Sequence, residues 1–169
     1  MMWFFTGKGD SGETTLFDGT RVRKDNQILD LMGTIDELNS FIGLTRTEIK
    51  EEELNNDLLF VQSSLSKLMG MIAGAPEQSL FDFDTGKFLN WLETKIKLFS
   101  KKLMNPQAFT FPGVSKPGAL FDICRTVCRR AERKAVEVSQ SDIKDNNDII
   151  TVLNRLSSYF YILRLFFEE

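Results

Sequence analysis

The sequence contains no histidine in 169 residues. That absence excludes Ser-His-Asp and Cys-His catalysis, imidazole metal ligands and a histidine proton shuttle. Any chemistry must run on carboxylates, lysine, arginine, hydroxyls, amides or a cofactor. Cysteine is scarce too: Cys124 and Cys128 are the only two, and their spacing suits neither a zinc site nor a disulfide framework. At helical spacing they read as small apolar core residues of a reducing compartment. Charge of one sign is lacking as well. Twenty-one basic and 24 acidic residues leave a net −3, without the basic surplus of a nucleic-acid footprint. No apolar run reaches the roughly 18–20 residues of a membrane helix. The start, Met1-Met2-Trp3-Phe4-Phe5, lacks the basic n-region and full h-region of a signal peptide. Together these absences predict a cytoplasmic protein that engages neither nucleic acid nor membrane.

What is present is the composition of one globular domain over 1–169, with 42% apolar residues and only 15 glycines and prolines together. Residues 6–26 show no helical period and read as an ordered loop or short extended segment. From there the apolar spacing is helical. Ile28, Leu31, Ile35, Leu38 and Ile42 mark a first helix over about 27–48, with Asp25 as its expected N-cap. Leu54, Leu58, Val61, Leu65, Leu68 and Ile72 mark a second over 52–73. A third spans roughly 86–104. The stretch 105–118 holds three of the four prolines and reads as a loop. A fourth helix is expected over 119–140, with Leu120, Ile123, Val127 and Ala131 inward, and a fifth over 146–167. The fold class is therefore all-α: a five-helix bundle (27–169) with an ordered N-terminal loop (1–26).

Four groups of polar residues do not belong on a plain bundle. Thr6-Gly7-Lys8-Gly9-Asp10-Ser11-Gly12-Glu13-Thr14 suits a loop whose backbone N–H groups approach a phosphate chain, although the Walker A spacing is absent. Lys24 is placed to return to the same anion. On the fourth helix Arg125, Arg129 and Arg133 recur at four-residue steps on one face, flanked by Arg130 and Glu132, and arginine forks suit oxyanions and buried carboxylates. The first helix carries Asp36 and Asn39 in mid-helix, where both are poor helix formers that ask for a partner. An Asp36–Arg125 pair between helices or subunits would satisfy both charges. Asn154-Arg155-Leu156-Ser157-Ser158 repeats the anomaly on the fifth helix. Each group also has an ordinary structural reading: a glycine turn, a solvated basic face, a satisfied core amide.

In this order and at these gaps the segments resemble one family. They are Gly9-Asp10-Ser11-Gly12 with Thr14, Asp18-Gly19-Thr20-Arg21-Val22-Arg23-Lys24-Asp25, Gly33-Thr34-Ile35-Asp36-Glu37-Leu38-Asn39-Ser40, Phe109-Thr110-Phe111-Pro112-Gly113, Arg125 through Arg133, and Leu153-Asn154-Arg155-Leu156-Ser157. The chain looks like a PduO-type ATP:cob(I)alamin adenosyltransferase over nearly its full length. It departs from that pattern at Gly7, where the family has Arg or Lys, and at Ser158 and Tyr161 in the segment after Asn154.

The resemblance implies a homotrimer with active sites between subunits, and transfer of the 5′-deoxyadenosyl group of ATP to Co(I) of a reduced corrinoid, leaving triphosphate. Thr6, Gly7, Lys8, Gly9, Asp10, Thr14 and Lys24 would surround the triphosphate. Arg129, Arg130, Glu132, Arg133 and Asn154 would complete the ATP site, with Asn154 also toward Mg²⁺. Asp36, Arg125 and Tyr161 would lie on the corrinoid side or the subunit interface, with Phe109 closing the lower face of cobalt. Arg129, Asn154, Lys24 and Phe109 would carry catalysis. A reductase and an adenosylcobalamin-dependent enzyme are the further partners implied. A nucleotide- or corrinoid-binding carrier or sensor without turnover, and a purely structural helical oligomer, are the alternatives from other classes.

Overall fold

Five apolar stripes give five helices, and the first, third and fourth carry a side-chain N-cap. The computed structural model describes residues 7, 9–76, 80, 83–103, 110–138, 143 and 146–169. They form a hairpin of β1 (Glu13–Thr15) and β2 (Arg21–Arg23), then α1 (Gln27–Arg46), α2 (Glu52–Ile72), α3 (Thr85–Ser100), α4 (Lys116–Glu137) and α5 (Asn146–Phe166). The strands pair antiparallel, with Thr14 opposite Val22.

The helix ends follow local chemistry. Asn26, and not Asp25, caps α1: its side-chain oxygen accepts the Ile28 N–H at 2.8 Å. Asp25 instead accepts both nitrogens of the Arg23 fork, at 3.0 and 2.8 Å. α4 begins three residues earlier than the sequence pattern suggests, because Ser115 accepts the Gly118 N–H at 3.0 Å. Pro117 then falls in the first turn, where its missing N–H costs nothing.

The stripes expected on α1, α2 and α5 are buried almost throughout. Each fully buried Leu, Ile or Phe contributes about 1.5–3 kcal/mol relative to exposure. α4 corrects one expectation. Ile123 faces outward at 38% exposed, and Phe121, Cys124, Cys128 and Ala135 join Leu120, Val127 and Ala131 inside. α1 packs between α2 and α4, and α5 between α4 and α3. Side chains link α3 back to α2, with Phe60 edge-on to Phe88 and Trp91, and Lys95 paired to Asp57 at 2.6 Å.

α1 and α4 run antiparallel, and their register is set by three contacts. Asp30 pairs with Lys134, Glu37 with Arg130, and Thr45 Oγ1 lies 3.5 Å from Cys124 Sγ. This ladder decides which site residues one chain can bring together.

Candidate functional site

The hairpin and its approach form the first part of the site. Gly7 and Gly12 adopt positive φ, +69° and +82°, which L side chains rarely do. The Asp10 N–H donates to Gly7 O and the Gly12 N–H to Gly9 O, both at 3.2 Å, while Lys24 N–H closes the loop on Gly12 O at 2.8 Å. At Gly9 a Cβ would sit 3.1 Å from Lys24 Nζ, so any side chain there would push the lysine aside. The Lys24 ammonium is therefore folded over Gly9. Thr14 lies within β1, and Asp10 is exposed on the loop. The far end of the hairpin is tied down where Phe17 N–H donates to Ala73 O, just past α2, at 2.9 Å. Thr6 and Lys8 lie outside the described residues.

From Lys24 a groove of about 560 Å³ runs along α1 past Asp30, Gly33, Thr34 and Glu37. On the neighbouring face a larger, mainly apolar hollow of about 930 Å³ lies between α1 and α2, with Phe17, Met32, Met69 and Leu80 on its walls and Asp36 in its lining.

The second part lies across α4 and α5. Asn154 Nδ2 donates to Glu132 Oε1 at 2.9 Å, and Asn154 Oδ1 accepts from Arg155 Nη1 at 2.7 Å. Arg155 is held in turn by Glu93 at 3.1 Å. Glu132 and Asn154, expected to act together, are thus in contact. Arg129 and Arg133 are exposed, and among the described residues neither meets a carboxylate. Arg130 is different, because it is paired with Glu37. These partners were not singled out from sequence, yet the i, i+3 spacing of Asp122 and Arg125 and the adjacency of Arg155 to Asn154 are visible there.

The cysteines have no part in this chemistry. Burial pushes the Cys124 thiol up to about 12, and raises Cys128 well above its ordinary value. Cys128 Sγ donates to Leu153 O at 3.2 Å.

Asp36 and Arg125 do not meet within one chain. The ladder places Asp36 opposite Ala131, six residues from Arg125, or roughly 9 Å along the axis. Arg125 Nε instead donates to Asp122 Oδ1 at 2.9 Å, and the exposed Asp36 carboxylate has no partner among the described residues. Tyr161 projects from α5, 38% exposed. Phe109 lies outside the described residues.

Comparison with known proteins covers nearly the whole chain. The sequence profile of the cobalamin adenosyltransferase family matches residues 4–167. A corrinoid adenosyltransferase of Bacillus subtilis (strain 168) is 37% identical over 164 residues, covering 95% of this chain and 83% of its own. One from Bos taurus is 35% identical over 168 residues, with coverage of 94% and 68%. Among solved structures, a variant PduO-type ATP:corrinoid adenosyltransferase from Lactobacillus reuteri, complexed with cobalamin and ATP, aligns with a TM-score of 0.87 at 28% identity. The alignment covers 98% of this chain and 93% of that one.

Proposed function

Since the chain belongs to the cobalamin adenosyltransferase family, we propose that it transfers the 5′-deoxyadenosyl group of ATP to the Co(I) of a reduced corrinoid, giving adenosylcobalamin and triphosphate. The observation that carries this reading is the exposed pair Arg129 and Arg133, which meet no carboxylate among the described residues, on the helix of the Glu132–Asn154 contact. Two exposed guanidinium forks on the helix that positions a carboxylate and an amide suit a polyphosphate better than a packing interface.

The reacting nucleophile belongs to the corrinoid, so the protein needs no histidine base. The Co–C5′ bond forms as the C5′–O bond to triphosphate breaks, with the electron pair of Co(I) entering and that of the broken bond leaving on the triphosphate. What the chain supplies is orientation and charge complementarity to the leaving group. Lys24 and those N–H groups of the Gly7–Gly12 loop that its own turns leave unused, which excludes Asp10 and Gly12, hold the phosphates. Arg129 and Arg133 meet the growing negative charge, and Glu132 fixes the Asn154 amide through its Nδ2 hydrogen bond. Phe109 is assigned to the lower face of cobalt, where an apolar side chain excludes water.

A magnesium ion would supply further charge neutralisation at the phosphates. Such an ion needs only one or two protein carboxylates and keeps several waters, and no cluster of three His, Cys, Asp or Glu is found among the described residues. The residues fit that modest demand: Glu132 could hold the ion, whereas Asn154 Oδ1 is already engaged by Arg155.

The sites lie between subunits of a homotrimer in this reading. Two features support it. Arg129 falls opposite Leu38 on the α1–α4 ladder, about 11 residues or roughly 16 Å along α1 from the end that carries Lys24. The loop of one copy meeting the arginine face of another removes that offset, and the same arrangement brings Asp36 to Arg125. A reductase that delivers Co(I) is the supplying reaction, and an adenosylcobalamin-dependent enzyme consumes the product.

An anaerobic assay with ATP, magnesium and chemically reduced cobalamin tests the reading. Formation of adenosylcobalamin with stoichiometric triphosphate is expected. Tight binding of both substrates without turnover would make the chain a carrier or sensor, and binding of neither would leave a scaffold.

A further inference from the structure

α5 ends in an arginine that a helix beside solvent has no need to bury. Arg164 is 4% exposed. Its Nε donates to Glu168 Oε2 at 2.7 Å, and its Nη2 donates to both the backbone oxygen and Oγ1 of Thr110, at 2.9 and 3.1 Å. Its Nη1 lies 3.9 Å from Asp122 Oδ1. Glu168, one turn on, accepts the Gly113 N–H on its other oxygen at 2.8 Å. It also packs where a Cβ on Gly118 would come within 2.6 Å of its Cγ. The stretch 110–113 is thus pinned at both ends by side chains of one helix terminus.

Phe111 is 78% exposed, the following Val114 76%, and Gly113 has φ +114°. The ionic cluster is also an expensive way to gain stability, since desolvation offsets most of the attraction in a buried pair and apolar replacements are often as stable. Its distinctive product is a fixed geometry. Asp122, the residue it shares with α4, is also the carboxylate that holds the Arg125 fork.

We propose that Arg164 and Glu168 are positioning residues for the corrinoid. They fix the backbone of Thr110, the residue directly after Phe109, and through Asp122 they fix the direction of Arg125. The Thr110 backbone and the Arg125 fork are then set by one buried cluster, while the ATP side is held independently by the glycine loop and Glu132. The proposal rests on the transferase reading given above. Its signature is selectivity between substrates, because a cluster that only supported the fold would not distinguish them.

The test compares wild type with Arg164→Lys, Glu168→Gln and Thr110→Val in the anaerobic assay with chemically reduced cobalamin. Lysine keeps the charge and reaches Glu168, but cannot fork to both oxygens of Thr110. Arg164→Lys should lose ~10²-fold in kcat/KM for cobalamin, the scale of a misplaced reacting geometry, with KM for ATP unchanged. Thr110→Val, which removes one hydrogen bond, should lose roughly tenfold or less in the same selective pattern. Glu168→Gln should fall between them. Losses spread equally over ATP and cobalamin, or a folded Arg164→Lys with wild-type cobalamin kinetics, would overturn the proposal. If Arg164→Lys does not fold, the other two variants decide by the same selectivity. A wild-type chain that never forms adenosylcobalamin is a separate outcome, seen before any substitution; it removes the transferase reading and the proposal with it.

Discussion

Arg129 and Arg130 are adjacent in sequence and in opposite circumstances in space. Arg130 is spent on Glu37 across the α1–α4 seam, whereas Arg129 points outward with no carboxylate among the described residues. Arg129→Ala should therefore leave the melting temperature unchanged and lower kcat by ~10²–10³-fold, the worth of one donor to a developing oxyanion. Near-wild-type turnover would remove Arg129 from the leaving-group side. Arg130→Ala breaks an exposed pair and should cost at most ~1 kcal/mol in stability. The cysteines give a second test at this scale. Their thiols are buried and their pKa values raised, so the nucleophilic thiolate is suppressed in the folded chain. Iodoacetamide at pH 8 should label neither until denaturant is added, as read by intact mass. The sequence shows that Arg129 shares a face with Arg125 and Arg133. It offers Asp122 to Arg125 at i, i+3, but it does not show that Glu37 takes Arg130, because a side-chain partner across 93 residues of chain is a tertiary outcome.

At the scale of elements, the helices were legible because their apolar spacing was regular, and the errors cluster where polar chemistry decides. Asp25 and Asn26 are both good caps by type. Asn26 caps α1 because Arg23 has taken the Asp25 carboxylate, a competition that no propensity encodes. Pro117 looked like a breaker and is a first-turn residue. Ile123 looked like core but faces outward, while Phe121 lies inside beside the two cysteines expected there, since α4 buries a wide face against α1 and α5. The Asn26 cap joins the hairpin to the bundle, so Asn26→Ala should lower stability by about 1 kcal/mol. For a chain of this length that is roughly 2–4 °C in melting temperature. The same change should raise KM for ATP more than KM for cobalamin, because Lys24 lies two residues away. A melting temperature at wild-type level would show that the cap hydrogen bond is replaced by water at no cost.

At the scale of the whole molecule, assembly is the property that a single sequence shows least directly. Asp36 looked unsatisfied from sequence and still has no partner among the described residues, while Arg125, equally suspicious, has found one in Asp122. The homotrimer proposed above would bring Asp36 and Arg125 together between copies. Light scattering at micromolar concentration should give about three times 19.4 kDa. Asp36→Arg, which sets like charges against each other at the proposed seam, should shift the population toward smaller species and reduce turnover with it. A monomeric wild-type chain at full activity would contradict a site shared between subunits.

The ring contacts around Trp91 have an optical consequence. Trp91 sits 4.8 Å from Phe60, 6.1 Å from Phe88 and 5.9 Å from Tyr159, with the Lys95 ammonium 5.7 Å from its own ring. The chain has one other tryptophan, Trp3, three positions before the nucleotide loop begins at Thr6. The two indoles thus divide the emission of the protein by origin. In a Trp3→Phe background the remaining signal comes from the junction of α2, α3 and α5, and its wavelength tracks the wetting of that junction as the bundle opens. In a Trp91→Phe background the signal comes from Trp3 alone, close in sequence to the loop proposed to hold the phosphates, and a change on titration with ATP would report on that proposal without any added label.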